Sequence, residues 1–163
     1  RWKKDMQIYC TNLTESALIK EFSYVFDEDK YPGTPKVRIN IIQNQSFKIQ
    51  DTIITPIEVK HYMMPVFGFR IRNFVYLTDV SVISEKEKEK MKGVDLIVLD
   101  ALRKEEHVSH FNLKQALALL KELQPKKALL THISHYMGLH DDVNNELPNN
   151  IKLAFDGQQI VLS

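Results

Sequence analysis

The sequence predicts a mixed α/β fold, with α+β layering in a single domain over residues 1–163, from two patterns along the chain. Residues 37–78 hold segments rich in β-branched and aromatic residues, separated by short polar turns, which is typical of antiparallel strands. After residue 79, short apolar segments alternate with amphipathic ones, which is typical of buried strands between helices. An antiparallel half followed by such alternation favours layers of sheet and helix around one core.

The first half is predicted to contain a helix and a block of strands. A short strand over residues 6–10 precedes a helix that Thr11 or Asn12 caps and that runs to about Phe26. Residues 27–35 contain two prolines and a glycine and are predicted to form a loop. The strands that follow are 37–42, 47–61 with a turn near 50–51, and 66–78 with a turn near 72–73.

The second half is predicted to alternate between strands and helices. The first helix carries alternating Lys and Glu, which indicates a solvated face, and a glycine ends it. The predicted elements are a helix at 84–91, a strand at 96–99, a helix at 112–123, a strand at 128–131, a helix at 141–147, and a hairpin of 153–155 with 160–162.

Composition excludes several classes of protein. A hydrophobic fraction of 44% and a charged fraction of 26% are those of an ordinary globular protein. Because the net charge is only +1, we expect no nucleic-acid partner. No apolar run reaches the roughly 18 residues of a membrane helix and no signal peptide is visible, so we expect no membrane association. The single cysteine, Cys10, rules out an intrachain disulfide and predicts a buried thiol and a cytoplasmic location.

Four ionisable residues come directly after predicted strands: His61, Asp79, Asp100 and His132. In layered α/β proteins, sites form beyond the carboxyl ends of strands, where side chains from several strands converge. Imidazole and carboxylate groups together suit zinc, manganese or iron. The placement of these residues therefore points to a metal site.

Each residue also has a simpler structural interpretation. A histidine at a strand end is more often a surface residue than a ligand, and an aspartate there usually caps a turn or a helix. Asp79 could cap the turn into Val80–Ser81, and Asp100 could pair with Arg103. The residues alone leave the metal site and the structural interpretation about equally favoured.

Local strings resolve the choice. In order along the chain, they are Tyr-Leu-Thr-Asp at 76–79, Val-Leu-Asp-Ala-Leu-Arg at 98–103, His-Phe-Asn-Leu at 110–113 and Leu-Thr-His-Ile-Ser-His at 130–135, with His61 ahead of Pro-Val-Phe-Gly-Phe-Arg-Ile at 65–71. As an ordered set over about residues 6–162, they resemble the phosphoribosyl cyclic phosphodiesterase-like branch of the metallo-β-lactamase superfamily. The resemblance implies the C-terminal part of an αββα sandwich.

The resemblance also implies roles for individual residues. His61 would bind one metal ion, His132 the other, and Asp79 would bridge both. His110 matches the histidine proposed to protonate the leaving group, a task suited to the titration range of imidazole.

Three further residues lie in the matched strings or beside them. Asp100 and His135 would orient metal ligands or substrate from the pocket. His107, three residues before His110, is expected at the loop surface.

The activity that the resemblance implies is the hydrolysis of a small phosphodiester, a cyclic phosphate above all. Two divalent ions, zinc or manganese, would activate a hydroxide for attack on phosphorus. The family's His-x-His-x-Asp-His segment does not occur in these 163 residues, which start at Arg1. We therefore expect that the chain begins within a longer protein, binds one ion or none by itself, and is inactive alone. We also expect it to self-associate or to bind an upstream fragment.

Two alternatives stay open from the sequence. The first is a tRNA-processing endonuclease of the same superfamily, which would need a substrate-gripping arm and a basic tract, neither of which is evident. The second is a truncated chain without enzymatic activity. Metal content separates the enzymes from the inactive chain, and turnover of a cyclic phosphate or of tRNA separates the two enzymes.

Overall fold

The computed structural model describes residues 5–29 and 31–162, and these form two compact units that divide between Gln45 and Ser46. A single domain over residues 1–163 stays a prediction.

The first unit contains a two-stranded parallel sheet. Strand β1 (Met6–Cys10) pairs with β2 (Val37–Ile41), and helices α1 (Asn12–Glu21) and α2 (Ser23–Phe26) connect them. The assignment of β2 to the antiparallel block was wrong: helices of this length give the chain the crossover that a parallel pair needs. Cys10, at the end of β1, is buried, as predicted.

The predicted helix to Phe26 is interrupted. The Thr11 side chain accepts a hydrogen bond from the Thr14 N–H and caps α1, as expected. Phe22 has φ −120° and ψ 40°, which is not helical, so the chain restarts as α2. Helix α1 has no buried residue within the described chain, and its Leu13 side chain is exposed.

The second unit is built on an eight-stranded sheet with the order β10-β9-β8-β6-β5-β4-β3, in which β7 pairs with β4. The strands are β3 (Phe47–Ile49), β4 (Thr52–His61), β5 (Met64–Ile71), β6 (Phe74–Leu77), β7 (Val82–Ile83), β8 (Leu96–Asp100), β9 (Lys127–Thr131) and β10 (Ile151–Leu153). Strands β3 to β6 are antiparallel, whereas β6, β8, β9 and β10 run parallel. The predicted change from an antiparallel half to parallel strands is confirmed.

Helices pack on this sheet and complete the core. They are α3 (Glu85–Glu89), α4 (Leu113–Leu123) and α5 (His140–Glu146), with a 3-10 helix at His135–Met137. Helix α4 starts in a capping box, in which Asn112 and Gln115 each accept from the other's backbone N–H. Its Ala116 and Leu120 face a core that includes Leu99. The mixed α/β fold class is confirmed.

The predicted closing hairpin was wrong. Strand β10 pairs with β9 in parallel, and residues 160–162 form no strand. Val161 is 95% exposed, so its β-branched side chain has no partner strand to pack on and local β-propensity does not decide its structure. No described helix has the length and apolar character to cross a membrane.

The Lys- and Glu-rich helix has a solvated face, as predicted, with Glu85, Lys86 and Glu89 exposed, but it also buries one carboxylate. Glu87 is only 4% exposed. Its carboxylate accepts from the Glu58 backbone N–H at 2.8 Å and pairs with Lys90 at 2.7 Å. The alternation of Lys and Glu along the sequence could not predict the burial of Glu87, because the N–H that it binds belongs to β4, 29 residues earlier.

Candidate metal centre

Strand direction brings the predicted residues to one edge of the sheet. Strands β6, β8 and β9 are parallel, and Asp79, Asp100 and His132 lie at or just beyond their carboxyl ends. Strand β4 is antiparallel to β5, which is antiparallel to β6, so β4 also ends at this edge, with His61 as its last residue. A single sheet edge therefore carries candidate site residues from four strands.

Two of these residues have an unusual backbone. Asp79 has φ 58° and His132 has φ 59°, both in the left-handed region. This conformation costs a non-glycine residue free energy and is found preferentially at functional sites. Both residues lie just beyond the ends of their strands, β6 and β9.

Relief of this strain should stabilise the fold. We expect His132→Gly to raise the free energy of unfolding by about 1 kcal/mol, because glycine adopts φ near 60° without steric cost. Gln124→Gly is the matched control, since Gln124 has φ 50° at the end of α4, outside the site. Urea denaturation should show similar gains for both variants, with metal affinity reduced only in His132→Gly. A loss of stability in His132→Gly alone would contradict the strain.

Four side chains meet at this edge. The Asp79 Oδ1 atom lies 3.5 Å from His132 Nε2 and 3.8 Å from His110 Nδ1. The His110 Nε2 atom lies 3.1 Å from His61 Nε2. The His110 ring also stacks on that of His132, with 4.6 Å between centroids. The structure thus brings together the residues that the sequence assigned to metal binding and to proton donation.

The donor set fits a divalent metal ion. Ligand atoms of His61, Asp79 and His110 all lie within 4.8 Å of one another. Imidazole nitrogens with a carboxylate oxygen are a donor set that zinc and manganese accept. This triad contains His110 where the sequence interpretation has His132, so the division between ligand and proton donor stays a prediction.

Asp100 is fully buried and holds His110. Its Oδ2 accepts from the Val80 backbone N–H at 3.4 Å and lies 3.1 Å from His110 Nδ1. Because Oδ2 is an acceptor, His110 Nδ1–H is placed to donate to it, and Nε2 is left facing His61. Among the described residues, Asp100 and Arg103 form no ion pair, and Arg103 Nη2 donates to the Glu106 carbonyl at 2.9 Å.

The two groups of this pair have shifted pKa values. Burial raises the pKa of Asp100 to about 7, and the charge of Asp79 acts in the same direction. Burial lowers the pKa of His110, and the neighbouring His132 and His61 lower it further. Both shifts favour uncharged side chains in the free protein.

Asp100 should therefore oppose stability at neutral pH. Its raised pKa means that its contribution is most favourable below pH 4 and is lost as pH rises through about 7. His110 acts oppositely, because its lowered pKa costs stability as pH falls below 6.5. We expect the difference in unfolding free energy between Asp100→Asn and the wild type to grow in favour of the variant as pH rises from 5 to 8. The gain is at most about 1.4 kcal/mol for each unit by which the pKa of Asp100 is raised.

Urea denaturation from pH 5 to 8 in EDTA measures this difference. Asp95→Asn is the control, because Lys126 lowers the pKa of Asp95 and moves its titration below this range. A constant difference between Asp100→Asn and the wild type at every pH would contradict the raised pKa.

The two remaining histidines of this region, His107 and His135, differ in how deeply they are buried. His107 was expected at the loop surface, but it is half-buried and its ring stacks on His110 with 5.4 Å between centroids. The three-residue spacing between His107 and His110 was the feature of the sequence that could have predicted this contact. His135 is exposed, with its ring 3.9 Å from that of Tyr136. The pocket role of His135 stays a prediction.

Known proteins show the same fold. The family model described as the beta-lactamase superfamily domain matches residues 1–133. A crystal structure of a diphosphatase from the PhnP family superposes with a TM-score of 0.89 at 28% identity, covering 98% of this chain and 60% of that one. Zinc-bound PqqB from Methylobacterium extorquens has a TM-score of 0.77 at 14% identity, with 98% and 66% covered.

A sequence relative extends this comparison. An octanoyltransferase from Porphyromonas gingivalis is 27% identical over 163 residues, which are 99% of this chain and 33% of that protein. The chain thus spans one third of the octanoyltransferase and about three fifths of the diphosphatase.

Proposed function

Because the chain belongs to the beta-lactamase superfamily domain family, we propose that it forms part of a metal-dependent phosphodiesterase. The observation that carries this proposal is the convergence of His61, Asp79, His110 and His132 at one sheet edge. The substrate class follows the phosphodiesterase-like strings and the 28% identity to a diphosphatase. We propose a small phosphodiester, a cyclic phosphate above all.

His61, Asp79 and His132 would hold two ions, zinc or manganese, together with ligands from a histidine-rich segment. When bound, the ions supply an activated water and neutralise phosphate charge. Asp79 lies between the histidines, with Oδ1 3.5 Å from His132 Nε2, so its carboxylate can serve both ions.

His110 would carry the proton to the leaving group. Its Nδ1 faces Asp100 at 3.1 Å, which fixes the ring and leaves Nε2 as the nitrogen that takes up and releases a proton. The lowered pKa of His110 makes its protonated form a stronger acid than an ordinary imidazolium. The departing alkoxide would receive this proton as its bond to phosphorus breaks.

A substrate panel tests the proposal. A version of the protein that carries a His-x-His-x-Asp-His segment ahead of these residues should hydrolyse a cyclic phosphodiester when loaded with zinc or manganese. It should leave precursor tRNA uncut, because neither a substrate-gripping arm nor a basic tract is evident in these residues. Cleavage of tRNA with no turnover of small diesters would favour the endonuclease alternative instead.

A further inference from the structure

The loop between β8 and α4 carries a histidine, His107, that the proposed mechanism does not use. Its ring stacks on that of His110, with 30° between the ring planes. Since His110 itself contacts His61 and His132, His107 lies at the border of the candidate metal centre.

Ser109 fixes the position of the proton on the His107 ring. The Ser109 backbone N–H donates to His107 Nδ1 at 3.4 Å, and the Ser109 hydroxyl lies 3.2 Å from the same nitrogen. A backbone N–H can only donate, so Nδ1 must accept. A neutral imidazole whose Nδ1 accepts carries its hydrogen on Nε2. His107 is therefore an Nε2–H donor.

The loop holds this donor in place. Arg103 Nη2 donates to the carbonyl of Glu106, the residue before His107, at 2.9 Å. The Leu102 N–H donates to the Phe111 carbonyl at 2.9 Å and closes the loop. A donor on a fixed backbone loses little conformational entropy when it binds a ligand.

The Nε2 atom is available to a ligand. It lies across the ring from Nδ1 and so points away from Ser109. Within the described chain, the hydrogen bonds of His107 all involve Nδ1, and Nε2 is not among the buried atoms that lack a partner. The nitrogen is thus open to solvent at the border of the candidate metal centre.

We propose that His107 is a substrate-positioning residue whose Nε2–H donates to an anionic phosphoryl oxygen of the substrate. The identity of the ligand rests on the proposed function, because a phosphodiester has such an oxygen and a carboxylic ester does not. A hydrogen bond to a charged acceptor changes affinity by about 10- to 100-fold. His107 would therefore favour phosphoryl substrates over neutral esters.

The experiment uses the metal-free 163-residue chain with inorganic phosphate as the probe. Ring ¹⁵N spectra at pH 8 should show the Nε2–H tautomer of His107, and phosphate should shift its Nε2 signal. We expect His107→Ala to weaken phosphate binding by about tenfold or more. His107→Gln, which keeps an N–H donor, should retain most of the affinity, and His140→Ala, outside the site, should match the wild type.

Three results would overturn the proposal: an Nδ1–H tautomer, no phosphate binding by the wild type, or equal affinity in the wild type and His107→Ala. None of these readouts requires turnover, so they are separable from the proposed function. An absence of diester hydrolysis in the extended, metal-loaded protein would reject the phosphodiesterase alone. If His107→Ala fails to fold by circular dichroism, the tautomer and the affinity of His107→Gln decide the outcome.

Discussion

Asp79→Ala is expected to abolish the binding of two metal ions in a version of the protein that carries the histidine-rich segment. The Asp79 carboxylate is 3.5 Å from His132 Nε2 and lies in one triad with His61 and His110. In the proposed site it would serve both ions, so its removal would take a ligand from each of them. Because hydrolysis needs the paired ions, activity should fall to background as well. Metal analysis by mass spectrometry, with turnover of a cyclic phosphodiester beside it, measures both effects.

The control for this variant is Asp141→Ala. The Asp141 side chain is 97% exposed on α5, so it carries the same charge change outside the site. This control should keep two ions and full activity. Retention of both ions by Asp79→Ala would remove Asp79 from the ligand set.

His110→Ala should have the second largest effect, on chemistry instead of metal content. Loss of a general acid typically costs about 10²- to 10⁴-fold in kcat. The loss should be greatest for diesters with poor leaving groups and small for activated aryl diesters, because only the former need a proton as they depart. The measurement is kcat on a matched pair of activated and unactivated substrates, beside metal content.

The His110→Ala variant distinguishes between two roles that the structure allows for His110. His110 contributes to the triad whose ligand atoms lie within 4.8 Å, so it could bind a metal ion instead of donating a proton. Loss of metal from His110→Ala would identify it as a ligand, and equal slowing on both substrates would refute the acid role. His140→Ala provides a histidine control outside the site, where His140 contacts Asn144 on α5.

Patterns that depend on local chemistry were predictable from the sequence. The helix from Leu113 begins after Asn112 and buries one apolar face, as its 3.6-residue spacing indicates. The strand ends at His61, Asp79 and His132 were also predictable, because polar residues interrupt β-rich segments there.

Features that depend on distant contacts were not predictable. The parallel partner of β2 is β1, about 30 residues earlier, and the segment at 160–162 has strand propensity without a partner strand. The orientation of His107 depends on Ser109 and on the packing of His110, which spacing alone does not specify. For β2 and for residues 160–162, the presence or absence of a distant partner strand decides the structure. For His107, the conformation of its own loop decides it.

The most direct test of the central claim measures bound metal and turnover together, in two forms of the protein. The 163-residue chain should bind at most one ion and leave a cyclic phosphodiester intact, because its candidate ligands His61, Asp79 and His132 cannot supply two ions with three protein ligands each. The same chain extended by a His-x-His-x-Asp-His segment should bind two ions and hydrolyse the substrate. Two tightly bound ions with turnover in the 163-residue chain, or two ions without turnover in the extended form, would contradict the account.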